Sequence, residues 1–131
     1  MDVLDEYMKE LAEDTCIDEF TMKDVQMKLP AIKHKWAGRL IRSKIELAGL
    51  EKKKNIIIDD AVRQLIEKSP VKLSVPLARN RVIDLDSVKN INDEINNLEL
   101  IIEFLGKMER ILNSMTFDIK NLTEIMKLEL Q

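Results

Sequence analysis

The sequence has little of what catalytic and phosphate-binding sites are built from. Its 131 residues include one histidine, one cysteine and three glycines. A phosphate-binding loop needs several clustered glycines so that backbone N–H groups can reach the phosphate, whereas Gly38, Gly49 and Gly106 are isolated. A histidine-based triad or a histidine-bearing zinc site needs cysteine and acidic side chains around the histidine, and the chain has one histidine and one cysteine. We therefore expect no enzyme activity, no cofactor and no metal site.

Long hydrophobic runs are also missing. The longest unbroken apolar runs, such as Ile56–Ile58, cover three residues, whereas a bilayer span needs about 20. The N-terminus lacks the basic start and apolar run of a signal peptide. The single cysteine, Cys16, cannot form an internal disulfide, which suits a reducing compartment. We expect one soluble cytoplasmic domain, residues 1–131, without membrane contact.

Charge is plentiful and unevenly placed. The formal net charge is −3, yet residues 1–22 carry −7, residues 23–54 carry +7, residues 55–82 carry +2 and residues 83–131 carry −5. A basic block within an acidic chain indicates a polyanionic partner, above all nucleic acid. The alternative is a solvated helix face whose bases meet the acidic ends of the same chain. Both interpretations stay open at this stage.

The scarcity of glycine, proline and large rings favours long helices with few loops. Apolar residues at helical spacing predict acidic N-terminal helices within residues 1–29. Pro30 fits the first position of a new helix, since its missing N–H costs nothing there. No further proline occurs before Lys68, so a long basic helix is predicted over residues 30–68.

Residues 69–85 have a different pattern. Apolar residues alternate with polar residues or proline from Val71 to Leu77, which is the period of a strand. Pro70 and Pro76 restrict such a strand to an edge. The pattern predicts a short extended segment or β-hairpin near residues 71–85 in an otherwise mostly α fold.

Residues 86–131 are predicted to form C-terminal oligomerisation helices. Asp86 or Ser87 caps a helix with a coiled-coil seam, a second apolar stripe joins it from residue 101, and Thr116 is expected to cap a final helix. This surface exceeds what one neighbouring helix covers, so we expect a ring-like homo-oligomer. The expected oligomerisation residues are Ile91, Ile95, Leu98, Ile102, Leu105, Leu112, Phe117, Leu122 and Met126.

The long basic helix carries the candidate nucleic-acid site. On a wheel of about 100° per residue, a basic stripe separates two apolar faces, and its members are Lys35, Arg39, Arg42 and Lys53. Trp36 lies on one of those apolar faces. It fits either the core or a stacking position on a base, with phosphate contacts beside it.

Four short motifs occur in an order that resembles a phage family. They are Leu11-x-x-Asp14-x-x-Ile17-Asp18, Lys35-Trp36, Lys52-Lys53-Lys54 and Phe117-x-Ile119-Lys120-x-x-x-x-Ile125. Together they resemble the UvsY family of T-even-type phages. The resemblance implies a mediator that binds single-stranded DNA. It also implies help for a RecA-like recombinase in displacing the phage single-strand-binding protein, during recombination, replication and repair. A ring of six or seven subunits, in the cytoplasm of the infected bacterial host, is implied as well.

The chain departs from that family late in the long helix. Family members carry a basic Lys-Ala-Arg-Leu element where this chain has Asp59-Asp60-Ala61-Val62, so DNA contacts are expected elsewhere. The expected DNA-binding residues are Lys35, Trp36, Arg39, Arg42, Lys52, Lys53, Lys72, Arg79 and Arg81. Two alternatives are a prefoldin-like chaperone subunit, built as helix, hairpin and helix, and a helical scaffold without a ligand. The charge pattern does not fit the chaperone.

Overall fold

The computed structural model describes residues 2–130 as four α-helices. In chain order these are α1 (Asp2–Asp14), α2 (Met22–Lys68), α3 (Val75–Val82) and α4 (Asp86–Leu130). Between residues 2 and 130 there is no strand, which confirms the mostly α fold class. None of the described helices is long and apolar enough to cross a membrane.

Helix α2 begins earlier than the predicted start at Pro30. It runs from Met22 and contains Pro30 in its third turn. Asp18 organises the entry, because its Oδ1 accepts hydrogen bonds from the backbone N–H groups of Phe20 and Thr21, each at 2.8 Å. The acidic N-terminal segment therefore contains one complete helix, α1, and the first turns of α2.

The continuity of α2 through Pro30 has a cost that packing offsets. A proline inside a helix removes one hydrogen bond and costs about 3 kcal/mol. Leu29, next to Pro30, is buried, and so is Trp36 two turns later. Burying a side chain of this kind contributes roughly 1.5–3 kcal/mol, so tertiary contacts hold together a helix that local rules would divide.

Residues 75–82 form a helix, so the β-hairpin predicted near residues 71–85 was wrong, and so was an extended conformation for residues 75–82. Ser74 caps α3 with an extended backbone, and its side chain accepts a hydrogen bond from the Leu77 N–H at 3.3 Å. Pro76 lies in the first turn, where its missing N–H costs nothing. The hairpin required by the prefoldin-like alternative is therefore not present in residues 75–82.

Packing explains why the alternating pattern was misleading. Ala78 and Val82 of α3 are 0% and 3% exposed and pack with Val62 of α2 in one apolar cluster. Their separation of four residues is the spacing of one helix face. The alternation between Val71 and Leu77 includes side chains that remain mostly exposed, so it does not mark a buried strand face.

Helix α4 begins at Asp86, so Asp86 and Ser87 lie in its first turn and not at the predicted capping position, and it continues to Leu130. The separate final helix predicted from Thr116 is absent, because α4 passes through this residue without interruption. No proline or glycine lies between Gly106 and the end of α4, so nothing in the local sequence forces a break.

The chain folds into two compact units. The first unit comprises the residues up to Ile41 together with those from Glu103 onward, and the second unit is Arg42–Ile102. In the first unit the Trp36 ring meets Tyr7 of α1 and Phe104 of α4, both edge to face, at centroid distances of 5.5 and 6.5 Å. In the second unit α3 packs on the C-terminal part of α2.

Candidate nucleic-acid interface

In the first unit two basic side chains of the predicted stripe, Lys35 and Arg39, contact α1. Lys35 Nζ lies 2.6 Å from Asp14 Oδ2 and 3.0 Å from Glu10 Oε1. Arg39 forms a two-pronged pair with Glu10, with Nη1 2.5 Å from Oε2 and Nη2 3.2 Å from Oε1. For these two bases, the acidic end of the chain supplies the counter-charge.

Aromatic rings complete this arrangement. Trp36 is 2% exposed, and its Nε1–H donates a hydrogen bond to Asp14 Oδ2 at 2.8 Å. The Arg39 guanidinium lies 4.8 Å from the centre of the Tyr7 ring and 4.7 Å from that of Trp36, within the range of cation–π attraction. Trp36 is a core residue here. We call this set the α1–α2 cluster: Tyr7, Glu10, Asp14, Lys35, Trp36 and Arg39.

The ionisation of the cluster follows its geometry. The hydrogen bond from Arg39 lowers the pKa of the Glu10 carboxyl below its ordinary value of 4.5, and the same bond raises the pKa of Arg39. Partial burial favours a lower pKa for Lys35, but hydrogen bonds to Asp14 and Glu10 outweigh it, so the pKa of Lys35 is raised. Opposite charges therefore face each other in the cluster near neutral pH.

The other predicted DNA-binding residues belong to the second unit and are exposed. They are Arg42, Lys52, Lys53, Lys72, Arg79 and Arg81. Arg79 Nη2 lies 3.0 Å from Asp59 Oδ1, with both side chains more than half exposed. An exposed pair of this kind contributes about 0–1 kcal/mol, so the Arg79 guanidinium can exchange Asp59 for another anion at little cost.

The acidic members of the α1–α2 cluster were not among the predicted site residues. Two signals in the sequence point to them. Residues 1–22 and 23–54 carry opposite charges of equal size, and Glu10 and Asp14 have the same four-residue spacing as Lys35 and Arg39. Side chains four residues apart share one helix face, so two such faces can pair. Asp14 and Lys35-Trp36 also belong to the motifs that carry the family resemblance.

Most of the predicted oligomerisation residues belong to the core of the chain itself. Ile91, Ile95, Leu98, Leu105 and Leu112 are all buried in the single chain. A side chain that its own chain already covers offers no surface to a second subunit, so the prediction requires correction for these five. Ile102 and Met126 are half-buried. Phe117 and Leu122 are exposed, as are the later α4 residues Ile125, Leu128 and Leu130.

Metal-binding groups do not assemble in the described part of the chain. Residues 3–130 contain no group of three or more histidine, cysteine, aspartate or glutamate side chains placed to hold a metal ion. The groove between α2 and α3 in the second unit, about 390 Å³ in volume, is largely apolar. It contains no histidine or cysteine.

The fold and the charges define a small, mostly helical protein with two helices of more than 40 residues and with exposed basic residues, among them Arg42, Lys52 and Lys53, in the second unit. The family described as "Recombination, repair and ssDNA binding protein UvsY" matches residues 10–130, and the chain therefore belongs to the UvsY family. This confirms the resemblance inferred from the four motifs.

Two solved structures have the same fold. Both are crystal structures of the bacteriophage T4 recombination mediator protein UvsY. The lattice type IV structure has a TM-score of 0.82 at 15% identity and covers 96% of this chain and 98% of that one. For lattice type II the TM-score is 0.79 at 15% identity, covering 100% and 99%. Among curated proteins, no sequence matches this chain significantly.

Proposed function

We propose that this protein binds single-stranded DNA and acts as a recombination mediator. In this role it helps a RecA-like recombinase replace single-strand-binding protein on the strand, during phage recombination, replication and repair in the cytoplasm of the infected host. The observation that carries the proposal is membership of the UvsY family over residues 10–130. The exposed bases of the second unit support it independently.

The exposed lysine and arginine side chains of the second unit suit a ligand whose negative charge repeats along its length. The exposed residues are Arg42, Lys52, Lys53, Lys72 and Arg81. Lysine and arginine at such positions bind the phosphates of a strand without recognising its nucleobases. Trp36, the one tryptophan of the chain, is buried, so stacking on it contributes nothing while the α1–α2 cluster is closed. Binding should be electrostatic and indifferent to sequence.

Self-assembly into a ring of six or seven subunits belongs to the same proposal. Support comes from the exposed apolar side chains of α4 in the first unit, among them Phe117 at 68% and Leu128 at 69% exposure. Large apolar residues concentrated on one exposed segment are typical of an interaction surface. A ring repeats the exposed basic residues of each subunit along one strand, which raises the overall affinity without new kinds of contact.

The DNA-binding part of the proposal is tested by the salt dependence of binding to fluorescent oligo-dT. Replacing Arg42, Lys52 and Lys53 by alanine removes up to three phosphate contacts per subunit. The slope of log affinity against log salt should then become shallower by about 2, at about 0.7 per phosphate. The matched control replaces one arginine and two lysines exposed on α4, namely Arg110, Lys120 and Lys127.

The control variant should keep the wild-type slope. Equal slopes in the wild-type protein, the triple variant and the control would show that Arg42, Lys52 and Lys53 are only solvated side chains that do not contact the strand. Complete absence of binding to oligo-dT by the wild-type protein at low salt would contradict the proposed function itself.

A further inference from the structure

The α1–α2 cluster places carboxylates where a nucleic acid would place phosphates. The two-pronged pair of Arg39 with Glu10 has the geometry with which arginine also binds phosphate. Lys35 contacts a second carboxylate, that of Asp14, one helical turn further along α1. Two cations and the Trp36 indole, which all contact α1, are therefore already bound to an anionic segment of their own chain.

We propose that α1 is an intramolecular competitor of single-stranded DNA. Its carboxylates mask a second binding site, formed by Lys35, Trp36 and Arg39, and the strand displaces α1 to reach that site. This inference rests on the proposed function, since it names a further site for the same ligand.

The attachment of α1 is weak enough for such a displacement. Leu11 is the one buried side chain among residues 3–14, whereas Val3 and Met8 are about half exposed. The ion pairs that hold α1 are partly exposed, so each contributes little beyond the range of a surface pair. A 13-residue helix is also marginally stable by itself. Electrostatics therefore carries a large share of the attachment, and a polyanion or salt competes directly for it.

Displacement of α1 changes what α2 offers to a strand. Lys35 and Arg39 become available for two more phosphates per subunit, and one side of Trp36 loses its cover. An exposed indole stacks on any base, because every base has a π-face. Displacement of α1 thus adds phosphate contacts and base stacking on the first unit to the phosphate contacts that the second unit already makes.

Replacing the carboxylates by uncharged amides of nearly the same shape tests whether α1 blocks this site. Glu10→Gln combined with Asp14→Asn removes both carboxylates of the cluster. The matched control, Asp5→Asn with Glu13→Gln, changes the net charge equally on exposed positions of the same helix, which make no ion pair with another described residue. At about 50 mM salt the cluster variant should bind oligo-dT roughly tenfold more tightly than the control. Its salt slope should be steeper by up to about 1.4 per subunit, because in the control salt also weakens the ion pairs of Lys35 and Arg39 that the strand has to break, which offsets part of the salt dependence.

The tryptophan provides a second readout in the unmodified protein. On binding of oligo-dT, the emission of Trp36 should be quenched and should move towards longer wavelength, because α1 leaves and a base stacks on the ring. Circular dichroism of both double variants checks that the helices are retained. If the cluster variant loses its helices, the change of Trp36 emission in the wild-type protein on binding oligo-dT tests the displacement of α1 without it.

Three results separate the inference from the proposed function. Equal affinities and slopes for the cluster variant and its control, with wild-type binding intact, would overturn the mask while the proposed function stands. Unchanged Trp36 emission in the wild-type complex would overturn it as well. Failure of every form to bind oligo-dT would overturn the proposed function, and the mask together with it.

Discussion

Replacing Trp36 by alanine removes the side chain around which α1, α2 and α4 meet in the first unit. The indole is 2% exposed and contacts the rings of Tyr7 and Phe104. It also donates a hydrogen bond to Asp14 and lies beside the Arg39 guanidinium. All of these contacts lie within the first unit, so the substitution tests the core of that unit.

The expected magnitude follows from these contacts. Truncating a buried tryptophan or phenylalanine to alanine typically costs about 3–5 kcal/mol, and each edge-to-face ring pair accounts for about 0.5–1.5 kcal/mol. We expect Trp36→Ala to lower the free energy of unfolding by about 4 kcal/mol. Trp36→Phe retains an aromatic ring but loses the Nε1–H donor, so it should cost about 1–2 kcal/mol.

Urea unfolding followed by circular dichroism at 222 nm measures both variants without relying on tryptophan emission. Phe20→Ala is a suitable control, because Phe20 is 85% exposed between α1 and α2. Its free energy of unfolding should change by less than about 0.5 kcal/mol. A loss below about 1 kcal/mol for Trp36→Ala would refute the assignment of Trp36 to the core.

Two further predictions concern acid pH and assembly. The pKa of Glu10 is lowered in the folded protein, so its contribution to stability is fully present above the ordinary value of 4.5 and is lost as the pH falls through the lowered value. Trp36 emission should therefore move to longer wavelength in acid below pH 4.5, less so in Glu10→Gln, and a pH-independent spectrum would contradict this. Replacing Phe117 and Leu128 by aspartate should reduce the mass measured by sedimentation, whereas an unchanged mass would place the subunit contacts elsewhere.

Local sequence features were sufficient where the physical cause is local. The start of α4 near Asp86 follows from an acidic first turn and a sustained apolar repeat, both of which act within a few residues. The mostly α fold follows from helical periodicity and from the scarcity of glycine and proline. The family resemblance, which the match over residues 10–130 confirms, likewise rested on short motifs in a fixed order.

Local features failed where packing decides. Pro30 signals a helix start, yet the burial of Leu29 and Trp36 stabilises α2 as one helix through this residue. The alternation from Val71 to Leu77 signals a strand, yet Ala78 and Val82 pack on Val62 only if residues 75–82 are helical. Both outcomes depend on which distant residues come into contact, and the period of a short segment contains no information about them.

The same division applies to the candidate site. The sequence by itself determined the charges, −7 for residues 1–22 and +7 for residues 23–54, and it indicated that the basic helix needs an anionic partner. Only the tertiary structure decided that Glu10 and Asp14 supply that partner for Lys35 and Arg39. It also assigned Ile91, Leu98 and Leu105 to the core of their own chain. Periodicity specifies which side chains share a face, but the partner of that face is set by the folded arrangement of segments far apart in the chain.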